Sequence, residues 1–465
     1  MTGKASLSNL PTLSDLRAIL KTALPLGIGY IGTMLIGVTD TIMLGHLSPN
    51  ALSAAGLALS VSNIILVIGW GMVFPILVFV SRRCGRECPR SRIPWKIIRQ
   101  NLWVCGILFV PSCVVLWNTT PILLLTGQNP LLARMAGEYM DYYLWAVFPA
   151  VARYGFALAL IAMHRTGIIA FITWLEVVLN IILDYGLIFG KFGFPTMGMA
   201  GAGLASIIVY AFGHTVFFFC IFDFRRFLRS ITVRRVWRPS RNILGQFFRL
   251  GWPKSLEWLI THAIFSVFAL LAGWIGILAV AAHTIALQTI VMVSYTLSLA
   301  VAEIVTVRVA AASAQGNHPR IWRALNGGVV VLLLLLSPLV ALFWLFPEWV
   351  VVLFIGSEVR ETHTLLPLAS PLIVLIGLFV ITDGLRIVGS QALNGLTDMK
   401  MPALVAGLTY WGIALPLGAW LGFSMELGVR GFWIGLIVGT AMSAMGYLNR
   451  FQRLVWNFGA ISSSR

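Results

Sequence analysis

GVTDTIMLGHL, residues 37–47, holds a single carboxylate, Asp40, in the middle of an apolar span. Between Thr22 and Ser81 there is no Lys, no Arg and no other acid. A charge at the centre of a membrane helix costs about 2.5–3.5 kcal/mol on insertion scales, and such residues face a protein interior or a cavity and pair there. The stretch therefore reads as a membrane-spanning helix carrying a functional acid at mid-depth. Thr39 and Thr41 are the nearest hydroxyls that could hold it in a purely structural role.

Composition extends this reading to the whole chain. Of 465 residues, 59% are hydrophobic and 11% charged, where a soluble domain has roughly 25% charged residues. Mean hydropathy is +0.90. Residues 327–346, GGVVVLLLLLSPLVALFWLF, are 20 uncharged positions in a row, the length a helix needs to cross about 30 Å of hydrocarbon. A β-barrel would alternate apolar and polar residues in segments of about 10, and the chain does not. Apolar stretches at about 24–44, 55–80, 101–118, 138–163, 167–189, 199–222, 250–274, 280–305, 324–346, 366–394, 402–422 and 430–449 predict twelve transmembrane helices in an all-α polytopic membrane protein.

The net charge of +17 does not point to nucleic acid, because the cations sit in a few loops. Alternating the loops between two sides puts 27 of the 33 Lys and Arg on the side of the N-terminus and 4 on the other. This bias predicts cytosolic N- and C-termini, as in a bacterial inner membrane. The first 26 residues lack an h-region and cleavage site, so no removable signal peptide is expected. Cys84 and Cys88 share a basic cytosolic loop, where reduced thiols are expected, and without nearby His they make a poor zinc site.

A basic linker at about 223–248 divides the chain into halves, 1–228 and 229–465, of six helices each. The halves resemble one another. Pro25 and Gly45 recur as Pro253 and Gly273, Gly198 and Gly201 as Gly428 and Gly431, and ALIAMHRTGIIA (159–170) as ALNGLTDMKMPA (392–403), at offsets of 228, 230 and 233. With an even number of helices per half, both halves enter from one side. They are then two six-helix bundles related by a pseudo-twofold along the membrane normal, with the substrate path between them.

Further polar groups lie at depth. In the fifth helix Glu176, Asn180 and Asp184 follow at i, i+4 and i+8 and share one face; Glu176 is expected near the cytosolic interface, and Tyr185 adjoins Asp184. In the tenth, Asp383 and Arg386 are three apart and can pair. In the seventh, Glu257 and Thr261 share a face, with His262 adjacent. Glu303 is expected at the interface, and His46 and His283 at short outer turns. Trp174, Trp258 and Met34 are candidate cavity residues. No nucleotide-binding motif is present, so an ion gradient is the expected energy source; one charge crossing 100 mV is worth about 2.3 kcal/mol.

DTIMLGHLSPNALSAAGLA, LNIILDYGLIFGKFGFPTMGMAGAGLA, LGWPKSL with AAHTIALQ, and TDGLRIVGSQALNGLTDM together resemble the multidrug and toxic compound extrusion (MATE) transporters of NorM-like type over essentially the entire chain. The resemblance implies cation-coupled export of amphipathic, often cationic organic compounds by a monomer, with no cofactor beyond a coupling ion, H⁺ or Na⁺. It assigns Asp40, Asn180 and Asp184 to a proton-sensitive network in the first half and Asp383 to cation coordination in the second. Na⁺ is conceivable at Asp40, Asn180 and Asp184, or at Asp383 with Glu257. The family's helix-seven acid is expected where this chain has Thr261, and Arg386 crowds Asp383. Both departures favour H⁺ over Na⁺, with Pro25 as the hinge. A lipid-linked oligosaccharide flippase should show cavity arginines, and only Arg153 and Arg386 lie in spans; a polytopic membrane enzyme should show clustered His or acids at a membrane face.

Overall fold

The computed structural model describes residues 10–84, 94–221, 238–355 and 362–462. Among the described residues, twelve helices are long and apolar enough to cross a membrane: α1 Leu13–Leu47, α2 Pro49–Cys84, α3 Trp95–Trp117, α4 Pro130–Ala162, α5 Thr166–Phe189, α6 Met199–Ile221, α7 Arg241–Ile275, α8 Ile277–Ala314, α9 His318–Leu345, α10 Leu365–Gly395, α11 Lys400–Ser424 and α12 Val429–Trp456. No strand occurs among the described residues. Many begin and end where local chemistry dictates. Ser48 caps α2 by accepting the Ala51 N–H, with Pro49 in the first turn. Asn317 caps α9 in the same way through the Arg320 N–H. α5 stops at Gly190, which takes the left-handed conformation at φ +67°.

Several helices outrun their apolar cores at the predicted cytosolic ends. The polar lead-in is continuous with α1 from Leu13, and residues 241–248 of the expected linker form the first turns of α7. The remaining linker residues 223–237 and the loop cysteine Cys88 lie outside the described residues. Cys84 is disulfide-bonded, which corrects the expectation of a reduced thiol. His283 is not in a turn: it lies inside α8, buried, with its ring 5.4 Å from that of Trp433. Glu303 is fully buried in α8. His46 closes the last turn of α1, its Nδ1 2.8 Å from the Ile42 carbonyl.

The duplication is written in the backbone. His164 and Thr397, 233 residues apart, are both non-glycine residues with positive φ, +56° and +67°. Around them the turn hydrogen bonds repeat: Arg165 N–H to Leu160 O and His164 N–H to Ile161 O become Asp398 N–H to Leu393 O and Thr397 N–H to Asn394 O. Gly198 and Gly428 both take φ +57°. Three residues on, a Cβ at Gly201 would meet the Leu187 carbonyl oxygen at 2.6 Å, and one at Gly431 would collide with the Gly422 amide.

Two compact units emerge. One comprises Met1–Gly27, Ser81–Arg86 and Leu256–Arg465; the other comprises Ile28–Val80 and Glu87–Ser255. The boundaries within α1 and α7 fall at equivalent places, Gly27/Ile28 and Ser255/Leu256, each within three residues of a helix-interior proline, Pro25 or Pro253. Proline removes one backbone hydrogen bond from the ladder. Each of these helices changes unit just after its proline.

Candidate functional site

In the unit built from Ile28–Val80 and Glu87–Ser255, α1 and α5 run side by side in a constant register. A Cβ at Gly29 would meet Ala170 Cα at 3.3 Å, and one at Gly32 would meet Thr173 Cγ2 at 3.0 Å. The Trp174 indole N–H donates to the Ile28 carbonyl at 3.2 Å. These small residues let the helices approach closely, as is usual between membrane helices. Carried along two more turns, the register brings Asp40 to Asn180, whose Nδ2 donates to Asp40 Oδ1 at 2.9 Å. Thr41 does not serve the acid, because its hydroxyl bonds back to the Gly37 carbonyl at 2.8 Å.

Asp184 completes the group. It is fully buried, and neither carboxyl oxygen receives a hydrogen bond among the described residues. Its polar neighbours are the Asp40 carboxyl and the Asn180 amide. Two adjacent carboxyls repel when both are ionised, whereas one proton between them supplies the donor that Asp184 lacks. The structure thus joins Asp40, Asn180 and Asp184. It leaves out Tyr185, which is 41% exposed and packs against Phe189 and Phe192 at centroid distances of 5.8 and 5.7 Å.

Two turns back on the same face of α5, Glu176 is paired inside the protein. Glu176 is fully buried and held by the Arg153 guanidinium of α4: Nε donates to Oε1 at 2.6 Å, and the second fork nitrogen donates to Oε2. That nitrogen also reaches Thr173 Oγ1 at 3.3 Å, and the guanidinium lies 5.5 Å from the Phe217 ring centre. A two-pronged Arg–carboxylate pair satisfies both groups away from water. The buried Tyr139 and Tyr143 of α4 and the half-buried Tyr210 of α6 lie within electrostatic reach of Asp40, and Tyr210 also of Arg153 and Glu176. Sequence reading passed over these tyrosines, since isolated aromatic residues on apolar helices carry no periodic signal.

The second polar group lies in the other unit. Arg386 donates through Nε to Asp383 Oδ1 at 2.8 Å and sets a second nitrogen 2.8 Å from the same oxygen. The guanidinium stands 5.6 Å from the Tyr410 ring centre, on a π-helical turn of α11, Gly407–Ala414. Glu257, 1% exposed, accepts the Ser390 hydroxyl at 2.5 Å, and its charge reaches Arg386. Thr261 does not join this group: its hydroxyl bonds to the Glu257 and Trp258 carbonyls of its own helix. Trp258 and Met34 are partly buried.

The MatE family model matches residues 25–186 and 253–420, taking in both halves and nearly every residue above. The chain belongs to the MatE family. Its MatE relatives include a probable multidrug resistance protein NorM of Rhizobium meliloti (strain 1021), 33% identical over 439 residues, covering 94% of this chain and 93% of that one. A multidrug resistance protein NorM of Burkholderia vietnamiensis is 30% identical over 437 residues, covering 93% and 92%. Among solved MATE structures, the complex with MaL6 superposes with a TM-score of 0.83 at 21% identity, covering 96% and 97% of the two chains. The eukaryotic transporter AtDTX14 gives 0.79 at 19% identity, covering 96% and 98%. The twelve-helix MatE fold and its status as a multi-pass membrane protein follow.

Proposed function

We propose that this chain is a multidrug efflux transporter that exports amphipathic, often cationic organic compounds in exchange for a cation, with H⁺ favoured over Na⁺ and both termini cytosolic. The observation that carries this reading is the Asp40–Asn180–Asp184 group. Two carboxyls and one amide meet inside an apolar unit, on two helices, one of which contains Pro25. A proton entering this group neutralises Asp40 and weakens its hold on the Asn180 amide. α1 is then free to bend at Pro25, in the turn before which it already lacks a backbone hydrogen bond. Substrate cation and proton draw on the same negative charge, so binding of one favours release of the other, and the coupling is reciprocal. The names of the NorM relatives support the cargo class, and the cation bias of the loops supports the orientation.

The test is drug efflux by Asp40→Asn in proteoliposomes under an imposed pH gradient, with Na⁺ varied independently. The variant is expected to lose gradient-driven transport while binding and folding persist. Wild-type rates would refute the reading.

A further inference from the structure

The internal repeat assigns a second identity to Arg386. With the offset of 233 set by the matching turns at His164 and Thr397, Arg386 of α10 is the counterpart of Arg153 of α4. With the offset of 230 set by Gly198 and Gly428, Tyr447 is the counterpart of Phe217. The surroundings agree. Phe217 lies against the Arg153 guanidinium, and Tyr447 lies within electrostatic reach of Arg386. Each arginine is thus buried at the same place in its own six-helix set and clamped by a carboxylate: Glu176 of the next helix in one case, Asp383 of the same helix in the other.

The acids do not repeat. The position equivalent to Glu176 is Thr409, and the position equivalent to Asp383 is Ala150. The counterparts of Asp40, Asn180 and Asp184 are Phe268, Ile413 and Leu417. The arginine is therefore the shared element, and in each half a differently placed acid satisfies it. On that comparison Asp383 is the counter-charge of a buried arginine before it is anything else. Its side chain is 7% exposed and that of Arg386 11%.

Resting on the proton-coupled reading above, we infer that Arg386 is a resident, covalently tethered cation that keeps monovalent metal ions off Asp383 and Glu257, and so determines that this chain couples to protons alone. A Na⁺ ion binding there has to displace a guanidinium that makes two contacts to one carboxylate oxygen, lies over an aromatic ring and cannot lose its charge at any working pH. Displacing it would also leave a buried guanidinium unpaired, which costs more than the pair contributes. Removing Arg386 takes away the guanidinium that contacts Asp383 Oδ1 and a positive charge within electrostatic reach of Glu257. A hard cation with oxygen ligands is the simplest replacement.

The experiment compares wild type with Arg386→Gln and Arg386→Lys in proteoliposomes, following efflux of ethidium with equal pH on both sides and an imposed gradient of Na⁺ or of K⁺. Wild type and Arg386→Lys are expected to ignore Na⁺, while Arg386→Gln gains efflux severalfold higher with Na⁺ than with K⁺. Thermal stability of the purified proteins in NaCl against KCl gives a second readout: Na⁺ should raise the midpoint of Arg386→Gln and leave wild type unmoved. A folded Arg386→Gln indifferent to Na⁺ in both assays overturns the inference. So does saturable Na⁺-specific stabilisation of the wild type, which holds even if the variant fails to fold. Wild-type transport that ignores a pH gradient would instead defeat the proton reading, whatever the Na⁺ response of the variant.

Discussion

Replacing Arg153 with Met keeps the volume and the apolar contact with Phe217 but strands Glu176, whose exposure is 0%. Removing one partner of a buried ion pair costs roughly 3–5 kcal/mol, because the other group is left without its counter-charge. Thermal unfolding of detergent-solubilised protein should show Arg153→Met destabilised by about that amount. Arg153→Met combined with Glu176→Gln should recover most of the loss, because no charge is then stranded. A double variant no more stable than Arg153→Met would refute the assignment of Arg153 as the counter-charge of Glu176.

Three other outcomes are expected. Gly213→Ala places a methyl against Glu176 Oε1 and 3.1 Å from Arg153 Nε; it should destabilise by about 1–3 kcal/mol as overpacking does, whereas Gly245→Ala, with nothing within 4 Å, should match or exceed wild type in thermal unfolding. Ser390→Ala removes the hydroxyl donor to Glu257 and should cost about 1–3 kcal/mol, with Ser390→Thr restoring most of it in the same melt. Asp184→Asn gives Asp40 a permanent amide donor; pH-gradient-driven efflux should fall and its pH profile flatten, while melting temperature changes little.

The legible part of the fold was the part that solvent dictates. Runs such as 327–346 have only one stable fate in a bilayer, and the loop charges fixed the helix count. Asp40 was legible because an acid in hydrocarbon is conspicuous, and Asn180 and Asp184 because they stand four apart on α5; that the three belong together was implied by the family resemblance. Pairings set by tertiary contact were not legible. Glu176 looked interfacial because it stands nearer the cytosolic end of α5 than Asn180 and Asp184 do, and only the approach of α4 shows that Arg153 covers it. His283 looked like a turn residue because α8 carries no polar boundary before it, and its burial against Trp433 depends on where α12 passes. Thr261 shared a face with Glu257, yet a threonine in a helix satisfies itself on the preceding turn, as this one does.

The division of α1 and α7 at Pro25 and Pro253 has a consequence for biogenesis. The unit that begins at Ile28 is not finished when α6 leaves the ribosome, because it also includes chain up to Ser255. The stretch ending at Gly27, made first, belongs with partners synthesised only after Leu256. The unit that begins at Ile28 can close only once Ser255 has been made, and a chain severed in the 223–237 segment should regain activity only when both fragments are made in the same cell.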